Sequence, residues 1–452
     1  MHKINSQVKL LFFVLCLPLF FHSCRNDQLS ISKLDANLEA MMNRASVENT
    51  YTSFIMPESG DYDALLQDPR NKITQEKVIL GKFLFYETGL GLDAIKDSGK
   101  ATYSCASCHI PERGFMPGVP QGIADGGIGF GLSGEGRTRF HLYEENEMDV
   151  QGARPLSLLN SAFVTNSTWA GAFGAGGVNE GTEELWGDNP VTEVNKLGYV
   201  GLESQNIEGL HLHRMKVNKQ VLDSYNYTPL FDAAFPEMES EERYSPLAAS
   251  FAISAYIRTL LPNEAPFQRW LKGEKTALSD QEKEGAILFF GKAGCANCHQ
   301  TAGLNAMKFY AVGVKDIHET GVAFNANEND PRYLGRGGFT GKQEDMYKFK
   351  VPQLYNLKTS PFYFHGSSKN TLREVVEYFN EAIPENDAVP EENISPLFRS
   401  LDLDEDEIDA ITLFLEESLY DDDLNRYVPP FVLSGNCFPN NDPLSKAQMG
   451  CE

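Results

Sequence analysis

Basic residues, cysteine and histidine are all scarce in this sequence. The chain has 39 Lys and Arg against 63 Asp and Glu, so its formal charge is −24 at pH 7. Nucleic-acid binding needs a basic surface that contacts phosphates, and we therefore exclude it as an expected function. The same charge suits a basic protein partner, because complementary fields speed encounter, although an acidic surface also simply keeps a secreted protein soluble.

Long apolar runs are also lacking, apart from one near the N-terminus. This run, from Leu10 to Phe21, is shorter than the ~20 residues of a membrane span. A basic segment precedes it and Ser23-Cys24 follows it, as in an export signal of the lipoprotein type. We expect residues 1–24 to be this signal, with a lipid on Cys24 as the only membrane attachment. An ordinary cleaved signal is the alternative, and both predict a periplasmic or cell-envelope protein.

Four of the eight cysteines lie in two matching pentapeptides, Cys105-Ala106-Ser107-Cys108-His109 and Cys295-Ala296-Asn297-Cys298-His299. Each has the spacing of a covalent c-type haem site, in which two thiols join the porphyrin vinyl groups and the adjacent histidine ligates iron. A zinc site would need four ligands close together. A redox Cys-x-x-Cys pair gives no reason for a histidine to follow both times. We therefore expect two covalently bound haems c, with His109 and His299 as their proximal ligands.

A helix with a glycine in its middle precedes each haem motif. The first covers residues 76–85 and includes Gly81, and the second begins with a capping box at Ser279 and Glu282 and includes Gly285. Gly81 predicts the close approach of another group, for which the haem edge is one candidate. These matching features indicate an internal duplication of a small helical haem domain, with an insertion in the first copy.

The expected fold class is all-α, with two cytochrome c-like haem domains in tandem and long irregular loops. The expected segments are the signal at 1–24, an N-terminal helix and connector at 25–75, the first haem domain at 76–272, the second at 278–430 and a tail at 431–452. Further helices are expected at 34–42, 245–270, 371–382 and 404–419, and a glycine-rich loop at 114–149. The two cysteines of the tail, Cys437 and Cys451, form a reasonable disulfide in an oxidising compartment.

The order of further motifs resembles the bacterial diheme cytochrome c peroxidases and their relatives, which include the diheme oxidases that mature methylamine dehydrogenase. The resemblance runs from about Leu80 to Leu419. Besides the haem motifs it rests on Leu80-Gly81-Lys82-Phe83-Leu84-Phe85, Arg154-Pro155-Leu156-Ser157-Leu158-Leu159-Asn160, Trp169-Ala170-Gly171, Phe349-Lys350-Val351-Pro352-Gln353-Leu354-Tyr355-Asn356, Thr359-Ser360-Pro361-Phe362-Tyr363-Phe364-His365-Gly366 and Leu372-Arg373-Glu374-Val375-Val376.

This resemblance implies different roles for the two haems. The haem on Cys105 and Cys108 would react with hydrogen peroxide, and the haem on Cys295 and Cys298 would pass it electrons from a small cytochrome c or cupredoxin. Trp169 falls at the place of an aromatic residue that lies between the haems in such proteins. Relatives of this kind are often homodimers.

The resemblance also implies residues around the first iron. Gln205 resembles a glutamine of the distal pocket, but Arg214 and Met215 stand where peroxidatic members carry a catalytic glutamate. We expect His213 to act as the acid–base group instead, since a histidine titrates near the working pH. Other candidates for this role are His211, Glu203 and Glu208. His141 lies in the loop where relatives place a displaceable distal ligand, and we expect it to ligate the first iron.

Two further expectations concern the sixth ligand of the second haem and a calcium ion. Phe379 stands where relatives supply a sixth iron ligand, and phenylalanine cannot ligate iron. Other candidates for that ligand are Tyr378, Met307, Met346 and His318. A calcium ion held partly by backbone oxygens at Thr359 and Pro361 is implied by the resemblance alone.

The sequence thus predicts an oxidoreductase that reduces hydrogen peroxide with electrons from a small redox protein. One alternative is a diheme oxidase that acts on an organic or protein substrate. Another is a non-enzymatic electron-transfer cytochrome with both irons six-coordinate.

Overall fold

The computed structural model describes residues 32–187, 190–321 and 323–451, so the expected signal and Cys24 lie outside the described residues. This part of the chain is mostly helical, and none of its helices is long and apolar enough to cross a membrane. The helices are α1 Lys33–Ala45, α2 Gln75–Tyr86, α3 Gly201–Leu212, α4 Lys219–Ser224, α5 Thr228–Ala234, α6 Ser240–Arg243, α7 Pro246–Arg258, α8 Pro266–Leu271, α9 Asp280–Phe290, α10 Gly337–Thr340, α11 Leu372–Glu381, α12 Glu405–Leu413 and α13 Pro443–Met449.

Two small antiparallel sheets interrupt the loops. Strands β1 (Gly127–Ile128) and β2 (Thr138–Arg139) pair within the glycine-rich loop, and β3 (Ala306–Tyr310) pairs with β4 (Phe349–Val351) in the second half. The expected predominance of helices is therefore confirmed, with a minor strand component that the sequence pattern did not indicate.

Most expected helices lie where their apolar periodicity placed them, and the capping box of Ser279 and Glu282 begins α9 as expected. The single helix expected over residues 245–270 is wrong, because the chain leaves the helix after α7 and begins α8 at Pro266. Pro262 lies in the break, where it has no backbone N–H to donate and restricts the residue before it. The helix expected over 404–419 ends as α12 at Leu413 and continues as a π-helical turn over Phe414–Ser418.

The same helix contact occurs in both halves of the molecule. A Cβ on Gly81 of α2 would lie 1.9 Å from the carbonyl oxygen of Ala252 in α7. A Cβ on Gly285 of α9 would lie 2.0 Å from the carbonyl oxygen of Ala410 in α12. Each glycine thus lets two helix backbones touch, so the neighbour of Gly81 is a helix and the haem edge is not needed to explain it. This repeat supports the internal duplication.

A buried ion pair attaches α3 to α7. Glu203 accepts from both terminal nitrogens of Arg258, at 2.5 and 2.7 Å, and from the Asn71 amide at 3.0 Å. Neither partner of the pair is more than 1% exposed. Such a bidentate contact fixes the position of α3, which forms one wall of the site described below.

The C-terminal tail returns to the first half of the chain. Cys437 and Cys451 form a disulfide, as expected. The hydroxyls of Ser104 and Ser107 donate to the carbonyl oxygen of Pro439, at 2.9 and 3.1 Å. Further along the tail, a buried ion pair joins Asp442 to Arg137 of the glycine-rich loop at 3.1 Å. The tail therefore packs directly on the first Cys-x-x-Cys-His turn.

Candidate functional site

A single large cavity borders both Cys-x-x-Cys-His motifs. Its volume is about 1350 Å³, above the ~300–1,000 Å³ of a pocket for one small ligand. The cavity is therefore large enough for more than one bulky group. Its walls include all six residues of the predicted haem sites, Cys105, Cys108, His109, Cys295, Cys298 and His299.

Both predicted iron ligands are held in the same way. His109 Nδ1 donates to the carbonyl oxygen of Phe115 at 2.9 Å, and His299 Nδ1 donates to that of Leu304 at 2.6 Å. This bond fixes the tautomer and leaves the lone pair of Nε2 for the cavity, which is how metal-ligating histidines are usually oriented.

Burial keeps both of these imidazoles neutral. It lowers the pKa of His109 and of His299 to about 4. A histidine must be neutral to ligate a metal, so both are ready to do so at physiological pH. Phe85 of α2 and Phe289 of α9 lie beside them, with ring centroids 6.5 and 6.2 Å away, and repeat the symmetry of the two halves.

The cavity and its donors fit two covalent haems. In each motif the two cysteines border the cavity and can form thioether bonds, while the histidine presents Nε2 to the same space. A haem held in this way supplies one-electron chemistry, with a potential and a reactivity set by the groups around the iron.

One face of α3 forms a polar wall of the cavity. Gln205, Gly209 and His213 lie along this face and line the space. A Cβ on Gly209 would meet only His213 Cδ2 within 4 Å, at 3.9 Å, so no other side chain separates the two polar residues along this face.

His213 at the end of α3 is tied to a buried carboxylate. Its Nδ1 lies 2.8 Å from Oδ2 of Asp149, which is only 6% exposed. The neighbouring Arg214 turns away from the cavity and donates to Asp125 at 2.5 Å and to the Glu147 carbonyl oxygen at 2.8 Å. Of the two residues in place of the expected glutamate, Arg214 therefore serves structure and Met215 gives the cavity only an apolar side chain, while the preceding His213 supplies a polar one.

The other candidates for an acid–base group are placed elsewhere. Glu203 is consumed by its ion pair with Arg258, and His211 is exposed on the outside of the helix. Neither of these, nor Glu208, is among the cavity-lining residues in the described part of the chain. Of the four candidates from the sequence, His213 alone borders this cavity.

Trp169 lines the same cavity. Its indole Nε1 donates to the carbonyl oxygen of Arg154 at 2.7 Å, which fixes the ring. The ring centroid lies 6.4 Å from that of Phe349 and 6.0 Å from that of His365, and those two rings stack 3.7 Å apart. The cavity thus contains an ordered aromatic cluster that includes the predicted bridge.

The wall that α11 forms beside the second motif is apolar. Phe379 of α11 lines the cavity with three aliphatic neighbours on the same helix, Leu372, Val375 and Val376. Tyr378 turns away, and its hydroxyl donates to the Val312 carbonyl oxygen at 2.5 Å. The described lining residues do not include Met307, Met346 or His318. This helix therefore offers hydrocarbon and no iron ligand.

His141 is not brought to the cavity. It is exposed, and its ring packs edge-on against Phe140 at 4.9 Å. Iron ligation by His141 would require the loop that carries it to leave this position.

The residues at the expected calcium site do not fit a calcium ion. The carbonyl oxygen of Thr359 already accepts from Arg113 at 2.8 Å, and buried Arg154 donates to Ser360 Oγ at 3.2 Å. A divalent cation beside Thr359 and Pro361 would face two guanidinium charges. Calcium also favours carboxylate oxygens, and residues 32–187, 190–321 and 323–451 hold no cluster of three acidic, histidine or cysteine side chains suited to a metal.

Chelation is therefore expected to leave the protein unchanged. A structural ion present at 100 times its Kd would add about 2.7 kcal/mol to stability, and its removal would lower the melting temperature. The measurement is a thermal melt of the holoprotein before and after dialysis against EDTA. A melting temperature that falls on dialysis and recovers with added Ca²⁺ contradicts this expectation.

Asp149 is the functional candidate that the sequence did not reveal. It precedes His213 by 64 residues and belongs to no motif. Only the folded path of the glycine-rich loop brings the two side chains together.

Comparison with known proteins agrees with this site. Residues 75–276 match the family model described as Di-haem cytochrome c peroxidase. The methylamine utilization protein MauG of Methylorubrum extorquens is 29% identical over 311 residues, which are 68% of this chain and 70% of that protein. The cytochrome-c peroxidase IdrP1 of Pseudomonas sp. (strain SCT) is 26% identical over 334 residues, 69% of this chain and 73% of that protein.

Solved structures show the same fold. A MauG-like protein associated with microbial copper homeostasis superposes with a TM-score of 0.57 at 25% identity, over 83% of this chain and 95% of that one. The diheme peroxidase BthA from Burkholderia thailandensis superposes with a TM-score of 0.50 at 17% identity, over 80% and 89%. Over residues 75–276 the chain therefore matches the di-haem cytochrome c peroxidase family, and the relatives it resembles are haem enzymes.

Proposed function

We propose that this protein reduces hydrogen peroxide to water at the haem on Cys105 and Cys108. The observation that carries the proposal is the asymmetry of the cavity. The α3 wall carries the polar side chains of Gln205, Asn206 and His213, and its leucines pack in the same apolar cluster as Cys105 and Cys108. The α11 wall presents Phe379 and aliphatic side chains. Peroxide chemistry needs proton donors and acceptors, so the first haem is the better place for it.

The balanced reaction consumes two electrons and two protons for each peroxide and releases two waters. His213 Nε2 takes the proton from the peroxide oxygen that approaches the iron and returns it to the outer oxygen, which leaves as water. The amide of Gln205 orients the peroxide by hydrogen bonding. The iron supplies the redox chemistry of O–O cleavage.

A haem held by Cys295, Cys298 and His299 would supply the entry point for electrons, and Trp169 is the residue that would relay them toward the haem on Cys105 and Cys108. The aromatic cluster of Trp169, Phe349 and His365 lies in the shared cavity and supports this route. The donor is a small cytochrome c or a cupredoxin, and the net charge of −24 favours one with a basic docking face.

We further propose that the protein works in the periplasm or the cell envelope. The supporting observations are the basic and apolar pattern of residues 1–24, which is typical of an export signal, and the two Cys-x-x-Cys-His motifs, since bacteria attach haem c outside the cytoplasm. A lipid on Cys24 would hold the protein at the membrane. The family resemblance also favours a homodimer.

The test is a stopped-flow assay of the holoprotein with a reduced small cytochrome c and hydrogen peroxide. We expect peroxide-dependent oxidation of two cytochromes for each peroxide consumed. Electron paramagnetic resonance of the oxidised and half-reduced protein should show a high-spin haem in at least one state. Two low-spin haems that bind neither peroxide nor cyanide in any redox state would overturn the proposal and favour a pure electron-transfer role.

A second candidate is oxidation of an organic or protein substrate by the same centre. It is favoured by the match to the methylamine utilization protein MauG and by the lack of the usual glutamate near Arg214. Peroxide consumption that needs no reduced cytochrome but depends on an added reducing organic substrate would select this candidate.

A further inference from the structure

We propose that Asp149 is a positioning residue that converts His213 into the acid–base group of the first haem pocket. The two form a carboxylate–imidazole dyad that stands in for a single glutamate. This inference rests on the proposed function, because that function assigns proton transfer to His213. Nothing in the sequence motifs points to Asp149.

The carboxylate is rigidly placed. Its backbone N–H donates to the Asp125 carbonyl oxygen at 2.9 Å, and its own carbonyl oxygen accepts from the Ala124 N–H at 3.1 Å. Its side chain is nearly fully buried and lines the cavity behind the imidazole. A buried carboxylate needs a donor, and His213 Nδ1 at 2.8 Å supplies one.

This contact selects one tautomer of His213. With the proton on Nδ1 donated to Asp149, Nε2 carries the lone pair. The imidazole borders the cavity, and 44% of its side chain is exposed. Nε2 is therefore free to accept a proton from a small molecule beside it. The alternative tautomer would set the Nδ1 lone pair against the carboxylate and would have no base to offer the cavity.

The charges around His213 also favour its role as a base. Asp149 raises the pKa of His213, and the Arg214 guanidinium acts in the opposite direction. Arg214 is itself paired with Asp125. The carboxylate is thus the dominant influence, and it stabilises the imidazolium formed when Nε2 takes a proton.

Cyanide association with the oxidised or half-reduced holoprotein measures this base without turnover. Hydrogen cyanide, like hydrogen peroxide, gives up a proton when its anion binds iron. The variants are Asp149→Asn, His213→Gln and the double variant. Asp97→Asn is the matched control, because Asp97 is an exposed aspartate that pairs with Lys100. Each association rate is followed across pH, with a thermal melt and an absorption spectrum as checks of folding.

We expect Asp149→Asn to slow cyanide association at least tenfold at high pH. The acidic limb of the pH profile, where the rate falls as His213 becomes protonated, should move to lower pH. The shift follows because a histidine without the carboxylate has a lower pKa and stays neutral further into acid. His213→Gln should remove the limb, and the double variant should equal His213→Gln, since Asp149 acts only through the histidine. Asp97→Asn should match the wild type.

Two results would overturn the inference. One is an acidic limb that stays at the same pH in Asp149→Asn, and the other is a double variant slower than His213→Gln by the full Asp149→Asn factor. Peroxide turnover of the same proteins is measured separately. If none turns over peroxide while the cyanide profiles follow expectation, the dyad stands and the proposed peroxidase function fails.

Discussion

Gly81→Ala is expected to destabilise the first half of the molecule by about 3 kcal/mol, which lowers its melting temperature by about 10 °C. The added methyl would lie 1.9 Å from the Ala252 carbonyl oxygen and 2.9 Å from Tyr256 Cβ. Relief requires α2 and α7 to separate, and their contact holds Phe85 beside the first haem ligand. Alanine favours helix over glycine by about 1 kcal/mol, but this gain is smaller than the cost of the clash.

Thermal unfolding of the holoprotein, followed by circular dichroism, measures the effect. Gly60→Ala is the control, because a Cβ at Gly60 meets nothing within 4 Å. Gly285→Ala should act on the second half in the same way, through the Ala410 carbonyl oxygen at 2.0 Å. A Gly81→Ala protein as stable as the wild type would show that the helices adjust freely, contrary to the close backbone contact.

His213→Ala is expected to lower peroxide turnover by about 10²- to 10⁴-fold, the usual contribution of a general acid–base group. The loss should appear in kcat, because the imidazole acts on the proton during O–O cleavage and contributes little to binding a molecule as small as peroxide. Steady-state oxidation of a reduced small cytochrome c at saturating peroxide measures it.

His211→Ala provides a matched control for this loss. His211 lies two residues earlier, at the end of the same helix, and it is exposed outside the cavity. It should retain wild-type turnover. Equal losses in the two variants would point to a disturbed helix end, and full activity in His213→Ala would remove the histidine from the mechanism.

The sequence was most informative where chemistry or periodicity is local. The haem motifs, the helices before them and the capping box at Ser279 follow from spacings of a few residues, and their positions are as expected. The break between α7 and α8 was missed because the apolar residues on both sides of Pro262 continue one helical pattern. A proline inside such a pattern marks a boundary, and its presence was the available signal.

The polar side of the site depends on contacts that span the chain. His213 and Asp149 meet only after the glycine-rich loop has folded against α3, so no local pattern reveals the dyad. His141 and Thr359 illustrate the opposite case, in which a position was inferred from relatives while the surroundings differ. Arg113 already donates to the Thr359 carbonyl oxygen, and a sequence motif cannot predict that contact.

The packing of the first haem motif depends on residues of the distant C-terminal tail. The carbonyl oxygen of Pro439 accepts from Ser104 and Ser107, inside and beside the first haem motif, and Asp442 pairs with Arg137. The tail residues follow these partners by 305 to 335 positions along the chain. A chain cut before Pro439 would therefore keep both haem motifs but lose the contacts that cover the first one.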